Sequence, residues 1–395
     1  MKFIHLSDLH IGKRFNERNI IADQEYILEQ ILSVIQTEAP DAVLIAGDIY
    51  DRAVPPAEAV TLFDSFLTRL AGMGMQTFII SGNHDSAERT AFACGLIERS
   101  GVHISRLFDG HLQRFTLPDP DGSGNVDIFL LPYVRPSEVR SFYPDEEIPD
   151  VTAAIDTVIQ NSLPDEMSRS ILVAHLYAEN SAPSGSESAA EIIGGEEPVS
   201  AGVFKPFSYT ALGHIHSPQN VNENIRYCGA PLKYDFSEDW QEKSVTVGEM
   251  DGDGKVNVRT VPLKPLHEVK RVTGLFADLM QSAPSEDFTE IILDDKEKID
   301  DAAARLRTRF ANCLSLRYKA DEERRKRLEA GTASGGSDAA KAAKLTPADL
   351  FSELYACVFN EDMSKEESDL LNSIIKELTE QEENGEKKET EGEQE

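Results

Sequence analysis

The chain reads as an α/β fold, on three observations. Over its first hundred residues or so, short apolar runs alternate with stretches of helical periodicity, the rhythm of βαβ units on a mainly parallel sheet. Most of those apolar runs stop at a turn-like motif carrying Asp, Asn or His, as buried strands do where they emerge. Further on, the runs alternate polar and apolar residues, the pattern of strands with one exposed face.

The elements follow in order. A strand at Lys2–Ser7 leads to a helix near Ile20–Glu38, a strand at Ala42–Ala46 to a helix near Ala57–Ala71, and a strand at Gln76–Ser81 to a helix near Ala87–Arg99. Val60, Phe63, Leu67 and Leu70 share one face of the second helix. Strands at His111–Leu117 and Val126–Pro132 flank the turn residues Asp-Pro-Asp-Gly-Ser-Gly, and Ile171–Ala174 is another buried run. Residues 178–200 form a long loop rich in Ser, Ala, Gly and Glu, either a rim to a cleft or a plain surface insertion. From Leu266 to Ala320 the rhythm is strand, helix, strand, helix, strand, with strands at Glu268–Val272, Thr289–Leu293 and Cys313–Tyr318.

Composition narrows the function classes. No run of about 18 apolar residues is present, so no membrane span is expected. The N-terminus enters a strand directly and lacks a signal peptide's apolar core. Cys94, Cys228, Cys313 and Cys357 are scattered, as ordinary thiols in a reducing cytoplasm would be, with no zinc or disulfide spacing. The net charge of -31 argues against tight DNA binding by this chain alone, since such proteins carry a basic footprint. Part of it is local: Glu377 to Glu395 holds nine Glu and two Lys, a net of -7.

Five of the nine histidines stand in the strand-end motifs. These read Asp8-Leu9-His10, Gly47-Asp48, Gly82-Asn83-His84-Asp85, His175 and Gly213-His214-Ile215-His216. Singly, each has a bland reading: a turn dipeptide, a core histidine, a left-handed Asn. Together, Asp8, His10, Asp48, Asn83, His175, His214 and His216 suffice for two metal ions sharing one ligand. Asp48 is the best bridging residue, since a carboxylate has two usable oxygens. So many imidazoles favour a transition metal over Mg²⁺. Mn²⁺ comes first, and Fe²⁺ or Zn²⁺ also suits the donors.

In the order of these motifs the chain resembles the calcineurin-like metallophosphoesterases, and within them the SbcD family of nuclease subunits, bacterial counterparts of the archaeal and eukaryotic double-strand-break repair nuclease. Met1–Lys13, Gly47–Pro55, Ala211–His216 and Gly229–Tyr234 carry the closer resemblance. It implies a metallophosphoesterase β-sandwich flanked by helices over 1–265, with a small α/β capping domain over 266–329 that helps position DNA. It implies two metals, one on Asp8, His10, Asp48 and His216, the other on Asp48, Asn83, His175 and His214. His84 would stabilise the transition state or protonate the leaving 3′-oxygen. The activities implied are 3′→5′ double-strand exonuclease and single-strand or hairpin endonuclease, exerted with an SbcC-like ATPase in DNA repair and recombination. A homodimer would use the helices near Ala57–Ala71 and Ala87–Arg99. Two metals suit this chemistry because they neutralise a phosphodiester, generate hydroxide near neutral pH and stabilise the leaving oxygen.

One departure stands out. The archaeal and eukaryotic nucleases carry a His three residues after the bridging Asp, and here that place is Asp51. Gly47-Asp-x-x-Asp51-Arg52 looks instead like the protein Ser/Thr phosphatases, where the second Asp orients the catalytic His and the Arg binds phosphate. The alternative is a turn in which Asp51 caps backbone and Arg52 is solvated.

Beyond a Gly/Ala/Ser-rich linker at 330–345, Thr346-Pro347 and the capping box Ser364–Glu367 start two helices over 346–379. Leu354, Tyr355, Leu371 and Ile375 lie on their narrow apolar stripes. The stripes either pair with each other or dock another protein, and the resemblance points to the SbcC-like ATPase. An acidic tail over 380–395 is expected to be disordered. Two rival readings remain, a small-molecule phosphodiesterase or phosphatase on the same scaffold and an inactive binding scaffold.

Overall fold

The computed structural model describes residues 1–120, 122–167, 169–184 and 197–321, and beyond them 348, 351, 355, 363–365, 367, 368 and 370–375. Two six-stranded sheets pack face to face. In the first, β1 (Lys2–Leu6), β4 (Ala42–Ala46), β5 (Gln76–Ile80) and β6 (Val102–Ile104) run parallel, and β13 (Ser244–Met250) and β14 (Val256–Pro262) extend the sheet antiparallel beyond β1. In the second, β8 (Asn125–Leu131), β9 (Ser170–His175), β10 (Tyr209–Gly213) and β12 (Ile225–Tyr227) run parallel, with β7 (Gln113–Pro118) and β11 (Gln219–Asn220) antiparallel at the edges. A two-strand ribbon, β2 (Arg14–Phe15) with β3 (Arg18–Asn19), follows β1.

The apolar runs are continuous because both faces of each sheet are covered. Side chains alternate across the strands, so each strand feeds two cores. Phe3, Leu44, Phe78, Ile128, Leu130, Ile171 and Val173 fill the space between the sheets. Ile4, Leu6, Val43, Ile45 and Ile79 face α1 (Ile21–Glu38) and α2 (Ala57–Gly72), against Ile27, Ile31, Phe63 and Leu70. Phe129, Leu131, Leu172 and Ala174 pack with Val139 of α5 (Pro136–Phe142) and with Ile155, Val158 and Ile159 of α6 (Val151–Gln160). Each such side chain contributes roughly 1.5–3 kcal/mol on burial, so the helix–sheet–sheet–helix stack is rigid. It delivers the C-terminal ends of β1, β4, β5, β9 and β10 to one edge of the sandwich.

The helix expected over Ala87–Arg99 is broken. It appears as α3 (Ala87–Thr90) and α4 (Cys94–Ile97), followed by a 3₁₀ turn at Glu98–Ser100, with Ala93 left-handed at φ 58° between them. Phe92 and Leu96 are 78% and 76% exposed, while Cys94 and Ile97, half-buried, pack against the core. Short helices with little tertiary packing are marginal, and Gly95 weakens this one further.

Two compact units are distinguishable, Met1–Val272 with Pro284–Glu290 and Arg307–Ser315, and Thr273–Ala283 with Ile291–Leu306 and Leu316–Glu395. A three-stranded sheet of β15 (Val269–Gly274), β16 (Ser285–Leu293) and β17 (Phe310–Tyr318) has short helices Phe276–Leu279 and Ala302–Leu306 in its connections. That is the expected strand–helix–strand–helix–strand order. In the second unit the Arg305 guanidinium lies 4.4 Å from the Phe276 ring centroid. The linker at 330–345, the tail at 380–395 and most of the hairpin at 346–379 lie outside the described residues. The capping box is present: Glu367 N–H donates to Ser364 Oγ at 3.3 Å, and Ser364 N–H to Glu367 Oε2 at 2.8 Å. Among the described residues no helix is long and apolar enough to cross a membrane.

His5 lies inside the sandwich core. Its Nδ1 meets Tyr209 Oη at 3.1 Å and its Nε2 the Leu212 carbonyl at 3.1 Å. Burial, seconded by the Arg226 charge and opposed by the Leu212 hydrogen bond, lowers its pKa to about 3. The unfolded chain takes up this proton near pH 6.5 while the folded chain does not, so stability is lost as pH falls from there toward about 3. Urea unfolding should show wild type losing up to about 1.4 kcal/mol per pH unit more than His5→Gln between pH 6 and 4. Parallel pH profiles for the two proteins would contradict this.

Candidate metal centre

The strand ends hold strained backbone. Asp8, His10, Asp48 and His214 take positive φ values of 54°, 42°, 50° and 103°. Such conformations cost on the order of 1–3 kcal/mol each and persist where surroundings over-determine them. Here Asp8 N–H donates to Gly47 O at 3.1 Å, His10 N–H to Asp48 O at 3.0 Å and Ile11 N–H to Ile49 O at 2.8 Å. Asp85 ties two ligand loops together, accepting from Ile49 N–H at 3.1 Å, Tyr50 N–H at 2.9 Å and Gly82 N–H at 2.9 Å. Burial and then the Asp48 charge push its carboxyl up to about 6 against those amides. Two glycines admit close approach. A Cβ at Gly82 would stand 2.1 Å from Asp48 Oδ1, and one at Gly213 would stand 1.9 Å from the Ala46 carbonyl oxygen.

All seven residues expected as ligands come together in this one place. Asp8, His10 and His216 form one group whose ligand atoms lie within 4.8 Å of one another, and Asp8, Asp48 and His175 another. Asp48 Oδ2 lies 3.6 Å from His10 Nε2 and 3.4 Å from His175 Nε2. His10 Nε2 and His216 Nε2 face each other at 3.0 Å. Asn83 Oδ1 is 2.9 Å from His175 Nε2 and 3.4 Å from His214 Nδ1.

The chemistry of this donor set fits divalent cations. Two imidazole nitrogens and a carboxylate oxygen converge in a buried space, where lone pairs need a positive partner. Burial holds His10 well below its ordinary pKa, against the pull of Asp48, and so keeps it a neutral donor. At His175 burial also opposes charge, yet the Asp48 carboxylate outweighs it and lifts the imidazole to about 10. The pocket therefore stabilises positive charge beside Asp48.

The surroundings set the direction of the clustered side chains. His175 Nδ1 donates to the Ala46 carbonyl at 2.8 Å, which turns Nε2 to the cluster. Asp8 Oδ1 accepts from His214 N–H at 3.0 Å, and Oδ2 from the Ser7 hydroxyl. Gln24 Nε2 donates to the His10 carbonyl at 2.7 Å. His216 Nδ1 meets Glu238 Oε1 at 3.0 Å, and Lys243 Nζ holds Glu238 Oε2 at 2.6 Å and the His216 carbonyl at 2.9 Å. Burial works against charge at Glu238, but Lys243 and His216 bring its carboxyl down to about 2. A carboxylate at Nδ1 fixes the tautomer with the Nε2 lone pair toward the cluster.

Sequence reasoning assigned no role to Asp85, Gln24, Glu238 or Lys243. Asp85 belongs to the Gly82–Asp85 motif, so its position carried a signal. Glu238 is one of 70 acidic residues, with no local signal to single it out.

His84 stands beside the cluster, its ring centroid 4.9 Å from that of His10, and it joins His10 and Asp48 in a third ligand-spaced group. Its backbone N–H donates to Asp48 Oδ1 at 2.9 Å. Its Nδ1 meets the main-chain oxygen of Asp51 at 3.0 Å. The contact with Asp51 is made by its main-chain oxygen. The Asp51 carboxylate takes Lys13 Nζ at 2.9 Å and lies 3.6 Å from Arg52 Nη2. Arg52 is 63% exposed.

Glu238→Gln should keep the fold and lower metal affinity about 10–100-fold, the usual effect of losing such a partner. Titration of the metal-free protein followed by isothermal calorimetry reads this directly. An unchanged affinity would mean that His216 needs no orienting carboxylate.

The family described as calcineurin-like phosphoesterase matches residues 1–218, and the type 5 capsule protein repressor C-terminal domain matches residues 262–358. The SbcD subunit of the SbcCD nuclease of Staphylococcus epidermidis is 32% identical over 324 residues, covering 80% of this chain and 85% of that protein. That of Staphylococcus saprophyticus is 30% identical over 324 residues, covering 80% and 84%. Among solved structures, the calcineurin-like phosphoesterase YfkN from Bacillus subtilis covers 67% of this chain and 90% of its own at 13% identity and TM-score 0.36, a likeness too distant to weigh. With the Asp/His cluster inside the matched region and SbcD relatives spanning most of both chains, the chain belongs to the calcineurin-like phosphoesterases and, within them, to the SbcD nuclease subunits.

Proposed function

We propose that this metal-dependent nuclease cuts DNA with two Mn²⁺ ions per chain, one on Asp8, His10, Asp48 and His216 and one on Asp48, Asn83, His175 and His214. Fe²⁺ or Zn²⁺ would suit the same donors. The observation that carries the reading is the Asp48 carboxylate, whose Oδ2 lies at 3.6 Å and 3.4 Å from imidazoles of the two groups. Divalent ions bound there would supply Lewis acidity, neutralising the phosphate and activating water near neutral pH.

The chain's own residues do the rest. His84, held at Nδ1 by the Asp51 carbonyl, is oriented to give a proton or hydrogen bond from its other nitrogen to the phosphate or the leaving 3′-oxygen. Arg52, exposed at the rim, contacts a DNA phosphate, and Asp51 with Lys13 steadies that turn. The activities proposed are 3′→5′ exonuclease on duplex ends and endonuclease on single strands and hairpins, in DNA repair and recombination in the cytoplasm. The 266–329 region serves as the capping domain beyond a nuclease domain at 1–265.

Two associations are part of the proposal. A homodimer is supported by Val60 on α2 and by Phe92 and Leu96, which expose 45%, 78% and 76% of their surface. Docking of an SbcC-like ATPase on the 346–379 segment is supported by Phe351, Leu370 and Ile374, exposed at 46%, 62% and 46%. Exposed apolar faces of this kind favour partners.

Asp48→Ala should lose both nuclease activity and bound metal. His84→Ala should keep about two Mn²⁺ per chain while cleavage falls about 10²–10⁴-fold, the range for a lost general acid. Metal analysis beside nuclease assays separates them, and equal loss of metal in both would make His84 a ligand. Removing residues 345–395 should leave hydrolysis of bis-p-nitrophenyl phosphate intact and abolish stable association with the ATPase. Wild-type pull-down by the shortened chain would refute docking there.

A further inference from the structure

A cavity of about 670 Å³ is lined, among the proposed ligands, by His175 alone, whose Nε2 lies 2.9 Å from Asn83 Oδ1. Its lining is built of unlike parts. Val134 and Leu176 give it an apolar floor, and both are buried. Tyr133 and Tyr177, half-buried, line it with the exposed Arg135 and Arg140 and the exposed carboxylates Asp150 and Glu197. The backbone fixes these groups against the ligands. Tyr133 N–H donates to the Ser81 carbonyl at 3.0 Å, one residue before the Gly82-Asn83 loop. The Tyr177 ring centroid is 6.5 Å from that of His214.

An apolar floor, two aromatic rings and a cation beside a phosphodiester-cleaving centre match the parts of a nucleotide. The volume falls within the roughly 300–1,000 Å³ of small-molecule pockets. That is room for one nucleoside and too little for a base pair with its stacked neighbours. We propose that this cavity receives the terminal nucleoside of a DNA strand in unpaired form, its phosphate at the metal cluster and its base against Tyr133 and Tyr177. The proposal rests on the nuclease reading of that cluster. Arg135 then meets the phosphate of the next nucleotide. Entry requires the terminal base to leave its partner, so frayed ends are favoured over fully paired ones.

The test uses the full chain with Mn²⁺ and bis-p-nitrophenyl phosphate as reporter substrate. Deoxyguanosine 5′-monophosphate and deoxyribose 5-phosphate are compared as inhibitors. The nucleotide should bind at least about tenfold more tightly, since a stacked base is worth on the order of tenfold or more. In the double variant Tyr133→Ala, Tyr177→Ala that ratio should fall to near one, and in Tyr133→Phe, Tyr177→Phe it should persist because the rings remain. Equal inhibition by the two compounds in wild type overturns the cavity assignment alone, as does a ratio that survives in the Ala double variant. Absence of any hydrolysis overturns the nuclease reading and this inference with it. A second measurement stands even if the Ala variant does not fold. Wild type should release a mismatched 3′-terminal nucleotide about tenfold faster than a paired one, and equal rates overturn the proposal.

Discussion

One buried carboxylate has to serve two sets of imidazoles, and the architecture around it follows from that demand. Asp48 sits where the central strand of one sheet ends, with its Oδ2 between His10 and His175. An anion so placed, away from water, is tolerable only beside positive charge. The upward shift at His175 expresses the same requirement from the other side. The left-handed backbones at Asp8, His10 and Asp48 hold their side chains there against local preference. The amides gathered by Asp85 keep those loops from relaxing.

Much of this was readable from the chain. A strand covered on both faces must be apolar throughout, so Ala42–Ala46 announces both itself and its end at Gly47-Asp48. The same logic located His10, Asn83, His175 and His214. What escaped is non-local. Glu238 acts through His216, 22 residues earlier, and Lys243, five residues later, from a 3₁₀ turn without periodicity. The sequence also placed Asp51 near His84 without saying which oxygen would make the contact. The break near Ala93 was hidden because Phe92 and Leu96 keep helical spacing while facing no core.

The acidity of the chain looks different once the site is assembled. A net charge of -31 repels a polyanion at long range. The cations near the cluster are largely committed inward: Lys243 to Glu238 and Lys13 to Asp51. Arg52 and Arg135, by contrast, are exposed. Beyond what Arg52 and Arg135 supply, neutralisation of the substrate would fall to bound ions and to other chains, which fits a catalytic subunit better than a self-sufficient binder.

The residues proposed as ligands are divided between the two sheets. Asp8, His10, Asp48 and Asn83 follow strands of the first, and His175, His214 and His216 belong to or follow strands of the second. An ion held by both sets would be a clasp across the sandwich edge, and every contact it made would resist the sheets parting there. By mass action its stabilising effect grows with the logarithm of its concentration above the dissociation constant. Scarcity of the metal would therefore act on the lifetime of the folded chain as well as on its turnover, and unzipping would begin at the very edge where DNA is meant to be cut.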